Sequence, residues 1–266
     1  ALFAVMTKLG VYAVLRVYSL VFGADAGALA DLAWPWLLPL GAATMALATL
    51  GALAAPSLRL LAAYLVLASA ATLFIALGLA NAQALGAGLY YLVHSTLVGG
   101  ALFLLADLVH RQRDNAGDSL RKLDQLGPKA LLGTLFVVAA MSVAGLPPLS
   151  GFIGKFALLA AVPADQAAWL WPVILLTSLV VLIALASAGS QLFWREGGEA
   201  PAPGRVPPLR PGEVGAATML PALGVLLSLF AGPALRYAQD AGAQLLAPAS
   251  YIGHVRGALP QPGVDP

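Results

Sequence analysis

Three basic side chains lie inside otherwise apolar segments, and these residues are best suited to carry protons. They are Lys8 in "AVMTKLGVYAVL", His94 in "LYYLVHSTLVGG" and Lys155 in "AGLPPLSGFIGKF". Ionisable side chains inside membrane segments are costly, and they generally mark ion or proton pathways. Imidazole gains and loses its proton near neutral pH, and a desolvated lysine can also release one. Together the three residues predict a hydrated polar axis through a helical bundle.

The segment that carries Lys155 interrupts its own backbone. Pro147 and Pro148 remove two N–H donors, and Gly145 and Gly151 weaken the helix around them. Carbonyl groups freed inside a bilayer must meet protein or a water-filled cavity. A broken helix with an ionisable residue at mid-membrane depth is a recurring arrangement in ion-translocating proteins. The alternative is a simple proline kink, with Lys155 extending its ammonium to a membrane surface.

The other two basic residues also have structural alternatives. His94 could be a structural histidine bonded to a neighbouring helix, and Lys8 could extend to a membrane surface. Asp107 lies near the end of the same helix as His94 and suits an ion pair, whereas Arg59 suits a helix-end anchor. Polar neighbours of His94 that could hold water or relay protons are Tyr90, Tyr91, Ser95 and Thr96.

Seven apolar runs of roughly 20 residues or more must position these groups, and each predicts a membrane-spanning helix. They lie near 2–22, 34–55, 60–80, 85–109, 130–163, 168–193 and 214–234. The run 130–163 would be about 50 Å long as a continuous helix, well beyond the ~30 Å hydrocarbon core. We therefore expect one discontinuous span there, in an all-α polytopic fold. Residues 1–234 form the predicted membrane domain, and 235–266 an amphipathic C-terminal tail along the interface.

The loop charges support this count of spans. Basic residues fall in alternate connections, which predicts a cytoplasmic location for those connections and an external C-terminal tail. These residues are Arg59, Arg111, Arg113, Arg121, Lys122, Lys129, Arg195, Arg205 and Arg210. The opposite connections contain Asp25, Asp31 and Asp165 but no lysine or arginine. Two separate spans within 130–163 would scatter the basic loops over both faces.

Composition limits the remaining classes of function. Of 266 residues, 60% are hydrophobic and only 10% are charged, which is typical of a polytopic membrane protein. The chain has no cysteine, and its three histidines lack metal-ligand spacing, so we expect no cofactor and no metal. The net charge of +2 does not favour nucleic-acid binding. The chain starts without methionine inside a helical pattern, and we expect it to be the back part of a longer protein.

Four stretches carry a specific resemblance: "AGLPPLSGFIGKF", "YYLVHSTLVGGALFLLADL", "AVMTKLGVYAVLRV" and "GPALRYAQDAGAQLLAPASYI". They resemble the D-type subunit of the multisubunit monovalent cation/proton antiporters, the Mrp/Mnh/Pha family, with its Pha-type branch most similar. That family is related to the antiporter-like subunits of respiratory complex I (NADH:quinone oxidoreductase). The resemblance implies a fourteen-helix subunit with two inverted repeats, of which this chain is the C-terminal half. A glutamate–lysine pair of the first repeat would lie upstream of Ala1.

The resemblance also implies roles for individual residues. Lys155 matches the lysine or glutamate of the second broken helix, thought to face the proton exit half-channel. Lys8 matches the central connecting lysine, His94 the histidine of the polar axis, and Arg59 a position that is often lysine. Val98 is a departure, because many relatives have a lysine four residues after that histidine.

The resulting hypothesis is a transporter subunit, not an enzyme, in a bacterial cytoplasmic (inner) membrane. It would exchange K⁺ or Na⁺ for protons and work with other membrane subunits, and protons would pass Lys8, His94 and Lys155 with the help of water. Two alternatives stay open. One is a proton-pumping membrane subunit of a complex I-type redox enzyme, and the other is a scaffold that conducts nothing.

Overall fold

A computed structural model of the chain describes residues 2–22, 34–113, 116–121, 129–194 and 208–247, together with the single residues 27 and 253. Within these ranges the chain is helical almost throughout. The helices are α1 (Leu2–Val21), α2 (Trp34–Ala54), α3 (Leu58–Gly78), α4 (Ala82–Gln112), α5 (Lys129–Ala144), α6 (Ser150–Ala160), α7 (Ala164–Gly189), α8 (Pro211–Leu229) and α9 (Ala231–Leu246). A π-helical turn, Ser190–Trp194, continues α7.

The predicted polytopic all-α fold is confirmed. Six of the described helices are long and apolar enough to cross a membrane: α1, α2, α3, α4, α7 with its π-helical turn, and α8. Helices α5 and α6, with 16 and 11 residues, are the two halves of the discontinuous span expected over 130–163. The interruption falls between Ala144 and Ser150, around the two prolines. The position of the break was therefore predicted correctly from the backbone constraints of proline and glycine.

Helix α4 lies at the centre of the bundle and packs against α1, α3, α5, α6, α8 and α9. Helices α2 and α3 form an antiparallel pair, and α7 packs against α2 and α5. Asn81 fixes the start of α4 by accepting a 2.7 Å hydrogen bond from the Ala84 N–H, as an N-cap residue should. Its amide also donates to the Ala161 carbonyl at 3.1 Å, which ties the start of α4 to the end of α6.

Ion pairs join three helices at one end of the bundle, which we call the basic end. Asp107 near the end of α4 pairs with Arg59 at the start of α3 (3.0 Å) and with Arg111 one turn further on (2.8 Å). Arg111 also contacts Glu213 at the start of α8 at 2.8 Å. The basic connections that are described therefore meet on one face, as the charge pattern predicts. Asp25, Asp31, Lys122, Arg195 and Arg205 lie outside the described residues.

Helix α9 follows α8 directly and packs closely against the opposite end of α4. A Cβ on Gly86 would lie 2.6 Å from the Cα of Gln239, and one on Gly242 would lie 2.9 Å from the Gly86 nitrogen. Small residues at both positions let the two backbones approach, as is common between membrane helices. The amphipathic helix thus begins at Ala231, slightly before the expected boundary at 235, and most of the predicted tail beyond 247 lies outside the described residues.

Candidate functional site

The helix break is closed by its own backbone before any side chain contributes. Gly145 adopts φ +80°, a left-handed conformation that glycine reaches without strain. Its N–H and that of Leu146 both donate to the Met141 carbonyl, at 3.1 and 3.0 Å. This geometry ends α5 in the manner of a glycine C-cap. It leaves the carbonyls of the last residues of α5 available to another donor.

Lys155 supplies that donor. Its Nζ donates to the carbonyls of Val143 and Ala144 and to the Ser178 hydroxyl on α7, each at 3.1 Å. All three N–H groups of an ammonium are thereby used. The positive charge also lies at the C-terminal end of α5, where the helix dipole favours a cation. Lys155 is therefore held at the break between α5 and α6 and does not extend toward a membrane surface, as the kink alternative required.

His94 contacts the first turn of the second half-helix. It is buried, and its Nδ1 lies 2.8 Å from the Ser150 hydroxyl. Gly151 makes this approach possible, because a Cβ there would clash with the Ser142 carbonyl and lie 2.9 Å from His94 Nε2. The Tyr91 ring lies 5.4 Å from the imidazole ring, centroid to centroid. His94 is bonded to a neighbouring helix, and that neighbour is the broken helix itself.

Lys8 is also inside the bundle. Its side chain is only 2% exposed, and Nζ donates to the Ser69 hydroxyl and to the Val66 carbonyl (3.3 Å), both on α3. It also lies on the wall of a cavity of about 880 Å³ between α1, α4, α8 and α9. Lys8 thus touches a large cavity on one side and a serine of the bundle interior on the other.

Ser69, the partner of Lys8, lines two small cavities, one beside His94 and one beside Lys155. One, of about 20 Å³, is lined by Ser69, Tyr91, His94 and Ser95 among others. The second, of about 30 Å³, is lined by Ser69, Tyr91 and Lys155 among others. Each is large enough for a water molecule, which needs roughly 10–15 Å³ and several polar partners. The geometry therefore supports a hydrated connection among the ionisable groups.

The auxiliary residues fall into two groups. Ser95 and Thr96 both donate to the Leu92 carbonyl of their own helix, at 3.2 and 2.7 Å. Ser95 faces the small cavity beside His94, whereas Thr96 faces the large cavity. Arg59 and Asp107 instead pair at the basic end, where their side chains are 44% and 49% exposed. Asp107 follows His94 by 13 positions on α4, about 20 Å along the helix, so this pair lies outside the cluster.

Val98 stands where the resemblance implies a lysine. It is 1% exposed and belongs to the main apolar cluster of the bundle. A Cβ on Gly224 of α8 would lie 3.9 Å from its methyl group, which is ordinary van der Waals contact. This position therefore holds apolar packing between α4 and α8.

Sequence reasoning missed three serines that bind the predicted residues: Ser69, Ser150 and Ser178. Ser150 lies inside the motif that drew attention to the break, and its hydroxyl is the partner of His94. Ser69 is followed one turn later by Thr72 in an otherwise apolar helix. That spacing was an available signal, because paired hydroxyls on one helix face suggest a polar contact inside a bundle.

A bundle of membrane-spanning helices whose broken helix is closed by an internal lysine is typical of ion-translocating membrane proteins. The chain belongs to the family described as "NADH:quinone oxidoreductase/Mrp antiporter, TM", which matches residues 1–182. This confirms the resemblance inferred from the motifs.

Individual relatives agree with the family. The chain is 38% identical to the D-type subunit of a probable K⁺/H⁺ antiporter of Rhizobium meliloti (strain 1021), over 95% of this chain and 51% of that protein. It is 32% identical to the D-type subunit of the Na⁺/H⁺ antiporter of Bacillus subtilis (strain 168), over 94% of this chain and 49% of that protein. A chain of the Mrp complex from Dietzia sp. DQ12-45-1b has the same fold, with a TM-score of 0.77 and 24% identity over 92% of this chain and 52% of that chain. The chain thus spans about half the length of these relatives.

Proposed function

We propose that this chain is part of a subunit of a multisubunit antiporter that exchanges K⁺ or Na⁺ for protons. Its part would be a transmembrane proton path through Lys8, His94 and Lys155. The observation that carries the proposal is the grouping of these three residues around Ser69 and two water-sized cavities inside the bundle. The names of the two relatives support antiport as the activity of the whole protein.

Lys155 is the group whose chemistry can be tested most directly. As an ammonium it closes the break with three hydrogen bonds, and as an amine it can accept a proton on its lone pair. A proton path needs the second property, whereas a purely structural role needs only the first. A permanent cation at this position would therefore preserve a purely structural role but would block proton transfer.

The proposal places the subunit in a bacterial cytoplasmic membrane, beside other membrane subunits of the complex. The family description also covers NADH:quinone oxidoreductase, but the names of both relatives favour the antiporter. The chain itself would act as a transporter component and not as an enzyme. Its basic end would face the cytoplasm, since positive charge collects on that side of membrane proteins.

The test compares wild type, Lys155→Ala and Lys155→Arg in the full-length subunit with its partner membrane subunits. Cation-dependent proton flux is followed in everted membrane vesicles, and the membrane level of each variant is measured. We expect the flux to fall about a hundredfold in both variants. Lys155→Arg should assemble normally, because guanidinium supplies N–H donors and positive charge but does not release its proton.

Lys129 provides a matched control, because it is an exposed lysine at the first residue of α5. Lys129→Ala and Lys129→Arg should keep wild-type flux. Wild-type flux in Lys155→Arg would show that a fixed charge at the break is enough and would contradict a proton path through Lys155. Wild-type flux in Lys155→Ala as well would favour the scaffold alternative.

A further inference from the structure

We propose that the Ser69 hydroxyl is the junction of the proton path, from which one branch leads to His94 and a second leads directly to Lys155 without using His94. This inference rests on the proposed function and deepens it, because it names the residue that connects the three ionisable groups. It also replaces a single file of Lys8, His94 and Lys155 with two routes from one serine.

The first step is the contact between Lys8 and Ser69. Lys8 Nζ donates to Ser69 Oγ across the α1–α3 interface, while Ser69 donates its own proton to the Val66 carbonyl at 2.7 Å. A hydroxyl that accepts from one neighbour and donates to another is arranged to pass a proton. Val66 lies one turn before Ser69 on α3. Rotation about the Cβ–Oγ bond of Ser69 can turn its proton away from the Val66 carbonyl and toward a cavity.

The two cavities give this hydroxyl two destinations. Ser69 lines the cavity of about 20 Å³ with His94, whose Nδ1 lies beside the Ser150 hydroxyl. It also lines the cavity of about 30 Å³ with Lys155 and Ser178, which are themselves hydrogen-bonded. One serine thus borders the water-sized spaces next to both groups.

The cavity next to Lys155 is rich in hydrogen-bond acceptors. Thr49, Thr72 and Thr177 line it, and each donates its hydroxyl proton to a carbonyl of its own helix at 2.9, 3.0 and 2.6 Å respectively. Only their lone pairs are left to face the cavity. Such a site favours a water molecule that donates its protons to these oxygens.

The transfer balances as an exchange of two protons at Ser69. An N–H bond of the Lys8 ammonium breaks as its proton joins Ser69 Oγ, and the original Ser69 proton passes to a water in the cavity. Lys8 becomes a neutral amine, Ser69 stays a neutral hydroxyl, and the water becomes hydronium. The hydronium then gives its extra proton to the lone pair of a neutral Lys155, and water is restored.

The experiment uses two variants of the same shape, Ser69→Thr and Ser69→Val. Threonine keeps the hydroxyl, whereas valine replaces it with a methyl group of similar size. In the full complex we expect Ser69→Thr to keep most of the cation-dependent proton flux and Ser69→Val to lose about tenfold or more. Ser228→Ala is the control, because Ser228 donates only to the Gly224 carbonyl of its own helix at 3.1 Å.

Equal flux in Ser69→Thr and Ser69→Val at equal membrane levels would overturn the junction. If the added methyl group impairs assembly of both variants, Ser69→Ala is used instead, because alanine removes the hydroxyl without adding bulk. Wild-type flux in Ser69→Ala would then overturn the junction. The direct branch is tested by His94→Gln, which should keep more flux than Ser69→Val. If the flux of His94→Gln is as low as that of Ser69→Val, the direct branch from Ser69 to Lys155 is overturned.

The design separates this inference from the proposed function. If Lys155→Arg abolishes flux while the two Ser69 variants do not differ, only the junction fails. If Lys155→Arg and Ser69→Val both conduct like wild type, the proton path itself fails.

Discussion

Replacing Gly151 by alanine tests how closely the second half-helix approaches the rest of the bundle. The added Cβ would clash with the Ser142 carbonyl on α5 and lie 2.9 Å from His94 Nε2 and 3.1 Å from His94 Cε1. The carbonyl belongs to the backbone and cannot rotate away. Helix α6 must therefore move outward, and the hydrogen bond between His94 and Ser150 must lengthen or break.

The cost follows from these two effects. Forcing a methyl group into a packed interior costs about 1–3 kcal/mol, and losing one hydrogen bond costs about 0.5–1.5 kcal/mol. Together they predict a loss of about 1.5–4.5 kcal/mol in the free energy of unfolding. At the roughly 2–4 °C per kcal/mol that is typical of a domain of about 150–250 residues, this corresponds to a melting temperature lower by roughly 3–18 °C.

The assay is thermal unfolding of the purified full-length complex in detergent, followed by tryptophan fluorescence, with proton flux measured in parallel. Gly215→Ala is the matched control, because a Cβ on Gly215 in α8 would have no heavy atom within 4 Å. We expect the control to unfold at the wild-type temperature or up to about 4 °C above it, because alanine stabilises a helix interior by about 0.5–1 kcal/mol relative to glycine. A Gly151→Ala variant that matches this control in stability and conducts normally would refute the close approach of α6 to α5 and α4.

Two further predictions concern residues outside the cluster. Asp107→Asn removes the ion pairs with Arg59 and Arg111. Because the three side chains are 37–49% exposed, we expect a loss below about 1 kcal/mol for each pair and unchanged flux. Unfolding at low and high salt checks this, and a strong loss of flux would contradict it. Asn81→Ala removes the N-cap of α4 and the donor to Ala161, so we expect a loss of about 1 kcal/mol or more. Ser57→Ala removes a longer, 3.3 Å cap bond at the start of α3 and should lower the melting temperature less than Asn81→Ala does. A larger decrease for Ser57→Ala would argue against the bond between Asn81 and Ala161.

The features that were predictable from the sequence depend on local rules. The break between Ala144 and Ser150 follows from the prolines and glycines, whose backbone constraints act within a few residues. Lys8, His94 and Lys155 were recognisable because charged or titratable groups are rare in apolar spans. Their proposed role in proton transfer stays a prediction.

The contacts of these residues depend on tertiary packing and were not predictable. Lys8 and Ser69 are separated by 61 positions, and no periodicity of either helix indicates that they meet. The sequence suggested an ion pair for Asp107, and Arg111 follows it at i+4, but the second partner, Arg59, lies 48 positions away and is identified only by the fold. Serines are also poor signals in themselves, because a serine in a membrane helix can bond to its own backbone, as Ser228 does.

The three hydrogen bonds of Lys155 link its charge to the orientation of a hydroxyl group on α7. An ammonium has three N–H groups for its three acceptors, the carbonyls of Val143 and Ala144 and the Ser178 hydroxyl. A neutral amine has two N–H groups and one lone pair, so after the loss of one proton it can still donate to both carbonyls. Ser178 can then rotate its hydroxyl and donate to the lone pair, because a hydroxyl both donates and accepts. Discharge of Lys155 therefore reverses the hydrogen bond between α6 and α7, and the direction of that one bond follows the charge of the lysine.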